Sequence, residues 1–282
     1  MDSFVYDSAA FRQELADSPH HAGEVEILRS MAQPGMRVIE VGAHTGVTAV
    51  ALAHQIGAEG HLDAFEPVPE YYGELTENLS RNGVSNVSTY RLALSDRPGR
   101  IRFYKHGGAS GITPAKDAPM IWVEATTISD FLTGQPVAQL DLVHLDCEGS
   151  ELLVLEGAKG VLQEQAPAIF CEIHHAYLKE LGQSGADLAH FLGDLGYEVE
   201  ALQVEHADSR SSLEACSHIR AHNPARSQEA DLQRRIEDLR ARLPAHSVPP
   251  GMLIELEELE DQLHRIRDQR RTDEPDSPVE AV

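Results

Sequence analysis

The sequence predicts an α/β fold in which a doubly wound, mostly parallel sheet is followed by a C-terminal α-helical coiled-coil hairpin. Three observations lead to this prediction. Short apolar runs alternate with amphipathic stretches, a glycine-containing turn follows the first apolar run, and heptad spacing begins after Pro224. Alternating strands and helices form parallel sheets with right-handed crossovers, because each helix packs back onto the sheet.

The composition is that of a globular protein with its own hydrophobic core. The chain has 282 residues, of which 41% are hydrophobic, and a chain of this size can fold without disulfide staples. Three widely spaced cysteines match neither a disulfide framework nor a CxxC metal site, so we expect a reducing, cytoplasmic location. Since no apolar stretch approaches about 18 residues, neither secretion nor membrane spanning is expected.

The chain is strongly acidic, with a formal net charge of −23 that is spread along the sequence. Such a field repels phosphates and anionic lipids, because no basic patch offsets it. We therefore expect a small-molecule or glycan substrate and neither nucleic acid nor a membrane as a partner.

The first elements follow from apolar spacing and from helix-breaking residues. Residues 1–35 are predicted to be an N-terminal helical segment, with helices at 8–16 and 22–32. The apolar run Arg37–Val41 reads as a strand that is buried on both faces. A tight turn from Gly42 to Gly46 then leads into an alanine-rich helix.

The same alternation continues through residues 36–223, which we predict to be one domain. Two additional strands, 100–104 and 121–125, flank a Gly/Pro-rich loop that is long enough to cover a site. The remaining predicted elements are strands at 61–65, 87–94, 141–146, 168–173 and 197–204, a last antiparallel strand at 218–221, and helices at 48–55, 69–82, 149–162 and 186–195.

Residues 224–271 carry two apolar runs with spacings of four and three, which indicate a helical hairpin of the coiled-coil type. Each run covers about two heptads, too few for a helix that is stable alone in water. The hairpin must pack on itself, on a second copy or on the main domain, and we expect a homodimer through it. Residues 272–282 are predicted to be a disordered polar tail. The apolar positions are Leu232, Ile236, Leu239, Leu243, Met252, Leu256, Leu259, Leu263 and Ile266.

The turn after the first strand has the features of a ligand-binding loop. Gly42 and Gly46 let the backbone approach a ligand at the carboxyl end of the sheet. A dinucleotide fingerprint needs a glycine at position 44, where His44 stands, so a nucleoside without a pyrophosphate is favoured. Glu66, at the end of the second strand, can accept hydrogen bonds from both ribose hydroxyls. The alternative for Glu66 is a solvated acid with no ligand.

These stretches together resemble the FkbM family of methyltransferases, within the class I Rossmann-like superfamily. The resemblance covers about residues 36–204 and is carried by VIEVGAHTGVTAVAL, DAFEPVPEYYGELTENLSRNGVSNV, LALSD and LDLVHLDCEGSELLVLEGAKGVLQEQAPAIFCEI. It implies S-adenosylmethionine as the cofactor. His44 and His144 depart from the family, which often has a small polar residue and a lysine at these positions.

The resemblance also implies roles for individual residues. The cofactor's methionine part would be held around the first turn, its ribose by Glu66, and its adenine between two apolar residues, while two acids would lie at the methyl-transfer end. The residues are, in that order, Glu40, Gly42, Ala43 and Gly46 for the turn, Ala93 and Leu94 for adenine, and Asp146 and Glu148 for the acids. His44, within the turn, is also predicted to bind the cofactor.

A hydroxyl acceptor must lose its proton to a base or to a metal-bound group. Glu172 and His174 end the next strand and should point to the same side of it, so they should join Asp146 and Glu148. His174 is the first candidate base, because its ordinary pKa lies near neutrality. Helix caps and a structural histidine are the alternatives. A divalent metal held by Asp146, Glu172 and His174 is left open but not predicted.

The function expected from the sequence is that of an S-adenosylmethionine-dependent O-methyltransferase. Its acceptor would be a hydroxyl of a small molecule, a sugar or a polyketide-type natural product, and the acceptor atom is inferred from the resemblance alone. The alternatives are N-methylation, a nicotinamide-dependent oxidoreductase, which His44 disfavours, and a non-catalytic nucleoside-binding or coiled-coil scaffold protein.

Overall fold

The computed structural model describes residues 4–6, 8–9, 11–13, 19–114, 116–133, 139–204, 209–243 and 249–273. The chain divides between His222 and Asn223 into two compact units. The elements of the first unit are α1 (Pro19–Met31), β1 (Arg37–Val41), α2 (Val47–Ile56), β2 (His61–Phe65), α3 (Pro69–Arg81), β3 (Val87–Tyr90), β4 (Ala93–Leu94), β5 (Gly99–Tyr104), β6 (Met120–Thr126), α4 (Ile128–Leu132), β7 (Leu142–Leu145), α5 (Glu151–Gly157), α6 (Lys159–Glu164), β8 (Ala168–Glu172), α7 (His175–Glu180), α8 (Gly185–Asp194), β9 (Glu198–Gln203), β10 (Ser209–Arg210) and β11 (His218–His222). The second unit contains α9 (Pro224–Ala241) and α10 (Pro250–Asp273).

An eight-stranded sheet with the order β10-β9-β11-β8-β7-β1-β2-β3 forms the centre of the first unit. Its strands β3, β2, β1, β7 and β8 are parallel, whereas β11 pairs antiparallel with β8 and β9. Both faces are covered, since Val38 of β1 packs in one apolar cluster and its neighbour Ile39 in the other. The predicted doubly wound, mostly parallel sheet is therefore confirmed.

The predicted strand 87–94 is in fact two strands. β3 pairs with β2 at the edge of the main sheet, and β4 joins a separate three-stranded sheet with the order β4-β6-β5. Ala93 and Leu94 there face Ala125 and Thr126. The chain leaves the main sheet because β6 offers new backbone partners, which places β4 beside the carboxyl ends of the central strands.

The predicted helix 149–162 is also interrupted. It consists of α5 and α6, separated at Ala158. A Cβ atom on Gly157 would lie 2.1 Å from the carbonyl oxygen of Ser95, so a glycine is needed where α5 meets the end of β4. The short helices α4 and α7 and the strand β10 were not predicted, although Thr127 caps α4 by accepting a hydrogen bond from the N–H of Asp130 at 2.8 Å.

The N-terminal segment and the tail fall partly outside the described residues. The predicted helix 22–32 corresponds to α1, whereas residues 10 and 14–16 of the predicted helix 8–16 are not described. The tail was predicted to start at Thr272, but α10 continues to Asp273 and 274–282 are not described. Among the described helices, none is both long and apolar enough to span a lipid bilayer.

In the second unit, α9 and α10 pack against each other through an apolar cluster. The buried residues of this cluster are Leu232, Ile236, Leu239, Leu259 and Leu263, and Met252, Leu256 and Ile266 pack around them. Leu253 and Ile254 of α10 remain exposed. The coiled-coil character of the pair and its role in a homodimer stay predictions.

Candidate active site

A cavity of about 350 Å³ opens at the carboxyl ends of β1, β2, β7 and β8, where open α/β sheets bind their ligands. The turn after β1, the small sheet, the loop between β5 and β6, and α1 complete its walls. The predicted covering loop is confirmed, because Gly108, Ser110 and Ile112 line the cavity.

The turn after β1 depends on its glycines. Gly42 has a φ of 86°, and a Cβ atom there would lie 1.7 Å from the carbonyl oxygen of Asp146. Gly46 has a φ of 89°, and its Cβ would lie 2.7 Å from Cδ1 of Leu75. Gly42 therefore lets the ends of β1 and β7 meet beside the cavity, whereas Gly46 allows close packing against α3.

Glu66 is anchored by the backbone at the end of β2. Its carboxylate accepts hydrogen bonds from the N–H of His44 at 3.0 Å and of Val68 at 2.7 Å. Burial raises the pKa of Glu66 to about 7, against the effect of these two N–H groups. Because each carboxylate oxygen can accept a second hydrogen bond, Glu66 is held in place and can still receive ribose hydroxyls.

Four carboxylates surround His174 beside the other end of the cavity, which Asp146, Glu148 and Glu172 line but His174 does not. The Nδ1 atom of His174 lies 2.7 Å from Oε1 of the fully buried Glu151. Its Nε2 atom lies 3.2 Å from Glu148, 3.7 Å from Asp146 and 3.7 Å from Glu172. The predicted convergence of Asp146, Glu148, Glu172 and His174 is thus observed, although their catalytic roles stay a prediction.

The reason given for that convergence was wrong. Strand β8 ends at Glu172, and His174 is the N-cap residue of α7 with a φ of −90° and a ψ of 71°. Alternation along one strand therefore does not bring the two side chains together. The turn into α7 does so instead.

The electrostatics of this cluster favour the protonated form of His174. Burial disfavours the charged form of the imidazole, but the hydrogen bond to Glu151 and the nearby carboxylates outweigh burial and raise the pKa of His174 to about 10. A protonated imidazole cannot accept a proton. The role of His174 as first candidate base stays a prediction, and the raised pKa of its imidazole makes Glu148 a further candidate.

Glu148 has a pKa near neutrality, the property that was expected of His174. Burial raises the pKa of Glu148 to about 7, although the positive charge of His174 opposes this shift. Burial also raises the pKa of Asp146, with the charges of Glu172 and Glu24 adding to the effect. Glu148 has a φ of 50°, a strained value for a residue with a side chain and one that is frequent at functional sites.

Sequence reasoning missed a second cluster, beneath the cavity. His144 is buried between two acids, with Nε2 3.2 Å from Glu24 of α1 and Nδ1 3.2 Å from Glu40. Burial disfavours its charge, but the two hydrogen bonds prevail and raise the pKa of His144 to about 10. A histidine inside the apolar strand LVHL was the signal for a buried partner, and Glu24 lies between apolar residues on the buried side of α1.

Two groups of described side chains have the spacing of metal ligands. Asp146, Glu148 and His174 each offer a ligand atom within 4.8 Å of the others, and so do Glu24, Glu172 and His218. The first group contains Glu148 where the trio considered from the sequence has Glu172. Metal dependence, which the sequence left open, is not tested by this geometry.

The chain matches the family model of the methyltransferase FkbM domain over residues 40–199, which is more than half of its length. The chain belongs to the FkbM methyltransferase family. The cofactor of this family is S-adenosylmethionine, as the sequence predicted. The FkbM domain contains all of the strand ends that build the cavity.

Individual relatives are similar over shorter stretches. A protein-L-isoaspartate O-methyltransferase of Triticum aestivum is 35% identical over 109 residues, which cover 38% of this chain and 44% of the relative. The 2-O-methyltransferase NoeI of Sinorhizobium fredii is 25% identical over 157 residues, 49% of this chain and 63% of NoeI. The methyltransferase FkbM structure from Methylobacillus flagellatus has a TM-score of 0.47 at 14% identity, covering 70% of this chain and 50% of that one. The chain thus spans about half the length of such relatives.

The FkbM cavity suits S-adenosylmethionine in shape and polarity. One wall is apolar and accommodates a purine, while the other is acidic and suits a sulfonium cation. Of the predicted cofactor residues, Gly42, Ala43, His44, Glu66, Ala93 and Leu94 line the cavity. Glu40 and Gly46 are not among its lining residues, since Glu40 is fully buried against His144 and Gly46 packs on Leu75.

Proposed function

We propose that this FkbM methyltransferase transfers the methyl group of S-adenosylmethionine to a hydroxyl of a small molecule, a sugar or a polyketide-type natural product. The observation that carries this proposal is Glu148, a carboxylate with a pKa of about 7 at the acidic end of the cofactor cavity. A general base works best when its pKa lies near the working pH.

The residues of the chain divide the work between them. Glu66 and the turn after β1 would hold the nucleoside and methionine parts of the cofactor. Bound S-adenosylmethionine supplies an electrophilic methyl group. Glu148 accepts the proton of the acceptor hydroxyl, and protonated His174, at 3.2 Å from Glu148, stabilises the carboxylate form. Glu151 keeps the His174 ring oriented.

The charges of the site favour a hydroxyl over a carboxylate as the acceptor. The described residues that line the cavity include Asp146, Glu148 and Glu172 but no lysine or arginine. Protonated His174 offsets part of this charge, but a carboxylate would still meet three acids and only one cation there. The relatives named for protein-L-isoaspartate therefore do not suggest the acceptor of this chain. Because the acidic end would also attract amines, N-methylation is the second candidate.

A direct test uses S-adenosylmethionine that carries a trideuterated methyl group. We expect mass transfer of this label to polyhydroxylated acceptors such as hexoses and aminohexoses, with a carbon–oxygen bond seen by NMR of the product. A carbon–nitrogen bond would assign the N-methyltransferase alternative, and transfer to carboxylates alone would contradict the proposed acceptor.

Replacing Glu66 with alanine should weaken binding of S-adenosylhomocysteine by about 1–3 kcal/mol, because two ribose hydrogen bonds are lost. Calorimetry should show micromolar binding to the unaltered chain, or about −8 kcal/mol. Glu59→Ala, an exposed acid in the loop before β2, is the matched control and should bind as the unaltered chain does. Binding of NAD in place of S-adenosylhomocysteine would contradict the cofactor assignment.

The second unit is proposed to form a homodimer. Leu253 and Ile254 are 50% and 57% exposed beside the α9–α10 contact, and a two-fold axis would let one such surface cover another. Light scattering should give twice the 30.9 kDa mass of the chain. The double variant Leu253→Lys with Ile254→Lys should be monomeric, whereas Glu255→Lys, at an exposed position of the same turn, should remain dimeric. A dimer that survives the double variant would disprove the assigned interface.

A further inference from the structure

The turn that carries Glu148 has an unusual backbone. Glu148 has a φ of 50° and Gly149 a φ of 96°, so two consecutive residues adopt left-handed conformations. Such a conformation is strained for a residue with a side chain, and it persists only where the surrounding structure holds it. The contacts around this turn therefore decide where the Glu148 carboxylate lies.

Two other elements pack directly on the backbone of this turn. A Cβ atom on Gly111, in the loop between β5 and β6, would lie 2.9 Å from the carbonyl oxygen of Glu148 and 3.1 Å from its Cβ atom. A Cβ atom on Gly149 would lie 2.5 Å from the Cβ atom of Tyr177 in α7. The turn is thus held by the loop and by α7, and neither contact leaves room for an added atom.

The loop is itself fixed at Gly111. The N–H of Tyr104, at the end of β5, donates to the carbonyl of Gly111 at 2.8 Å, and the N–H of Gly111 donates to the carbonyl of Tyr104 at 3.1 Å. Ser110 accepts a hydrogen bond from the N–H of His106 at 2.9 Å and donates one to the carbonyl of Gly107 at 2.6 Å. Because of these four hydrogen bonds, the loop cannot easily move away from the turn.

The same loop reaches the cavity through the residues next to Gly111. Ser110 and Ile112 line the cavity together with Glu148, and the Glu148 side chain is 15% exposed. Residues 107–113 have the sequence GGASGIT and contain no ionisable side chain. The loop can therefore act on Glu148 through contact and through exclusion of water, but not through charge.

We propose that Gly111 is a positioning residue for methyl transfer, which holds Glu148 at the acidic end of the cavity through close backbone contact. This inference rests on the proposed function, in which Glu148 is the base. One segment then has two tasks, since it covers the cavity and fixes the group that takes up the acceptor's proton. Glycine is needed at position 111 because a side chain there would displace the carbonyl of Glu148.

A double-mutant cycle with Gly111→Ala and Glu148→Gln tests this role, with kcat measured on an acceptor found with the deuterated cofactor. We expect Gly111→Ala to lower kcat by up to about 10²-fold in the unaltered chain, since a misplacement of about 1 Å can cost this much. In the Glu148→Gln background it should change kcat by less than about twofold, because the base that it positions is gone. Binding of S-adenosylhomocysteine should be retained in each variant.

An equal loss of kcat in both backgrounds would overturn the proposal, because Gly111 would then act on the structure as a whole and not through Glu148. A Glu148→Gln variant with full activity is a different result. It would refute the proposed function, and the role of Gly111 would fall with it.

Hydrogen exchange followed by mass spectrometry gives a readout that needs no acceptor. The N–H groups of Gly149 and Ser150 bond to Oε1 of Glu151 and to the carbonyl of Cys147, each at 3.1 Å. Gly111→Ala should speed the exchange of these two groups by about tenfold, because the turn that they close is no longer held.

Gly107→Ala is the control, since it adds the same atom to the same loop at a position where no described atom lies within 4 Å. Both kcat and the exchange of the turn should stay as in the unaltered chain. If Gly111→Ala does not fold, Ser110→Ala takes its place, because it removes two hydrogen bonds of the loop without adding an atom. It should give the same two effects at smaller size. Exchange that matches the Gly107→Ala control would overturn the proposal.

Discussion

Replacing Glu148 with glutamine is expected to lower kcat by about 10²- to 10⁴-fold, the usual contribution of a general base. Glutamine keeps the shape of the side chain but cannot accept the proton of the acceptor hydroxyl. Binding of S-adenosylhomocysteine should change little, because the loss concerns proton transfer. The matched control is Glu156→Gln on the exposed side of α5, which should retain full activity.

The same residue determines the expected pH dependence. Glu148 must be ionised to act, so kcat/KM should rise with pH through about 7 and then level off. Activity should fall again only near the pKa of about 10 at which His174 loses its proton. Tyr177, Glu172 and Glu151 also face this group, and their charges can displace the midpoint. If Glu148→Gln leaves both the rate and the acidic limb intact, Glu148 is not the base.

Substituting alanine for Gly42 should abolish cofactor binding and strongly destabilise the fold. The new Cβ would meet the carbonyl oxygen of Asp146 at 1.7 Å, so the ends of β1 and β7 would have to separate. Gly35→Ala is a close control, because Gly35 has the same φ of 86° but nothing within 4 Å of the added atom. That variant should cost only the backbone strain, about 1–2 kcal/mol.

Urea unfolding and calorimetry with S-adenosylhomocysteine compare these two variants. Gly35→Ala should bind as the unaltered chain does, with a small shift in the unfolding midpoint. Should Gly42→Ala bind with the same affinity as Gly35→Ala, close approach of the two strand ends would not be required for the site.

The main elements were predictable because local periodicity reflects burial. The runs that became β1, β2, β7 and β8 are mostly apolar and buried, and a glycine or proline lies within a few residues of each. The breaks at 91–92 and Ala158 were not predictable. The first depends on a distant partner, the backbone of β6, and the second lies beside Gly157, whose close approach to the distant carbonyl of Ser95 leaves no mark on the local pattern.

Topology also explains which parts of the site were predicted. Asp146, Glu148 and Glu172 follow neighbouring parallel strands, so they had to meet at one edge of the sheet. The identity of the base depends on the balance of burial and charge around His174, which spacing does not report. Glu24 was missed because its partner His144 lies 120 residues away in sequence.

The buried cluster of Glu24, His144 and Glu40 limits which substitutions the chain can tolerate at these positions. Losing one member leaves a charge in the interior without its partner, a change that typically costs about 3–5 kcal/mol. That is a large fraction of the roughly 5–15 kcal/mol that holds a domain folded. A chimera that takes the N-terminal helix from one homologue and the central strands from another is therefore expected to lose stability unless the residues at 24 and 144 match. A lysine introduced at position 144 is expected to need matching changes at 24 and 40, because both acids form hydrogen bonds with the His144 ring.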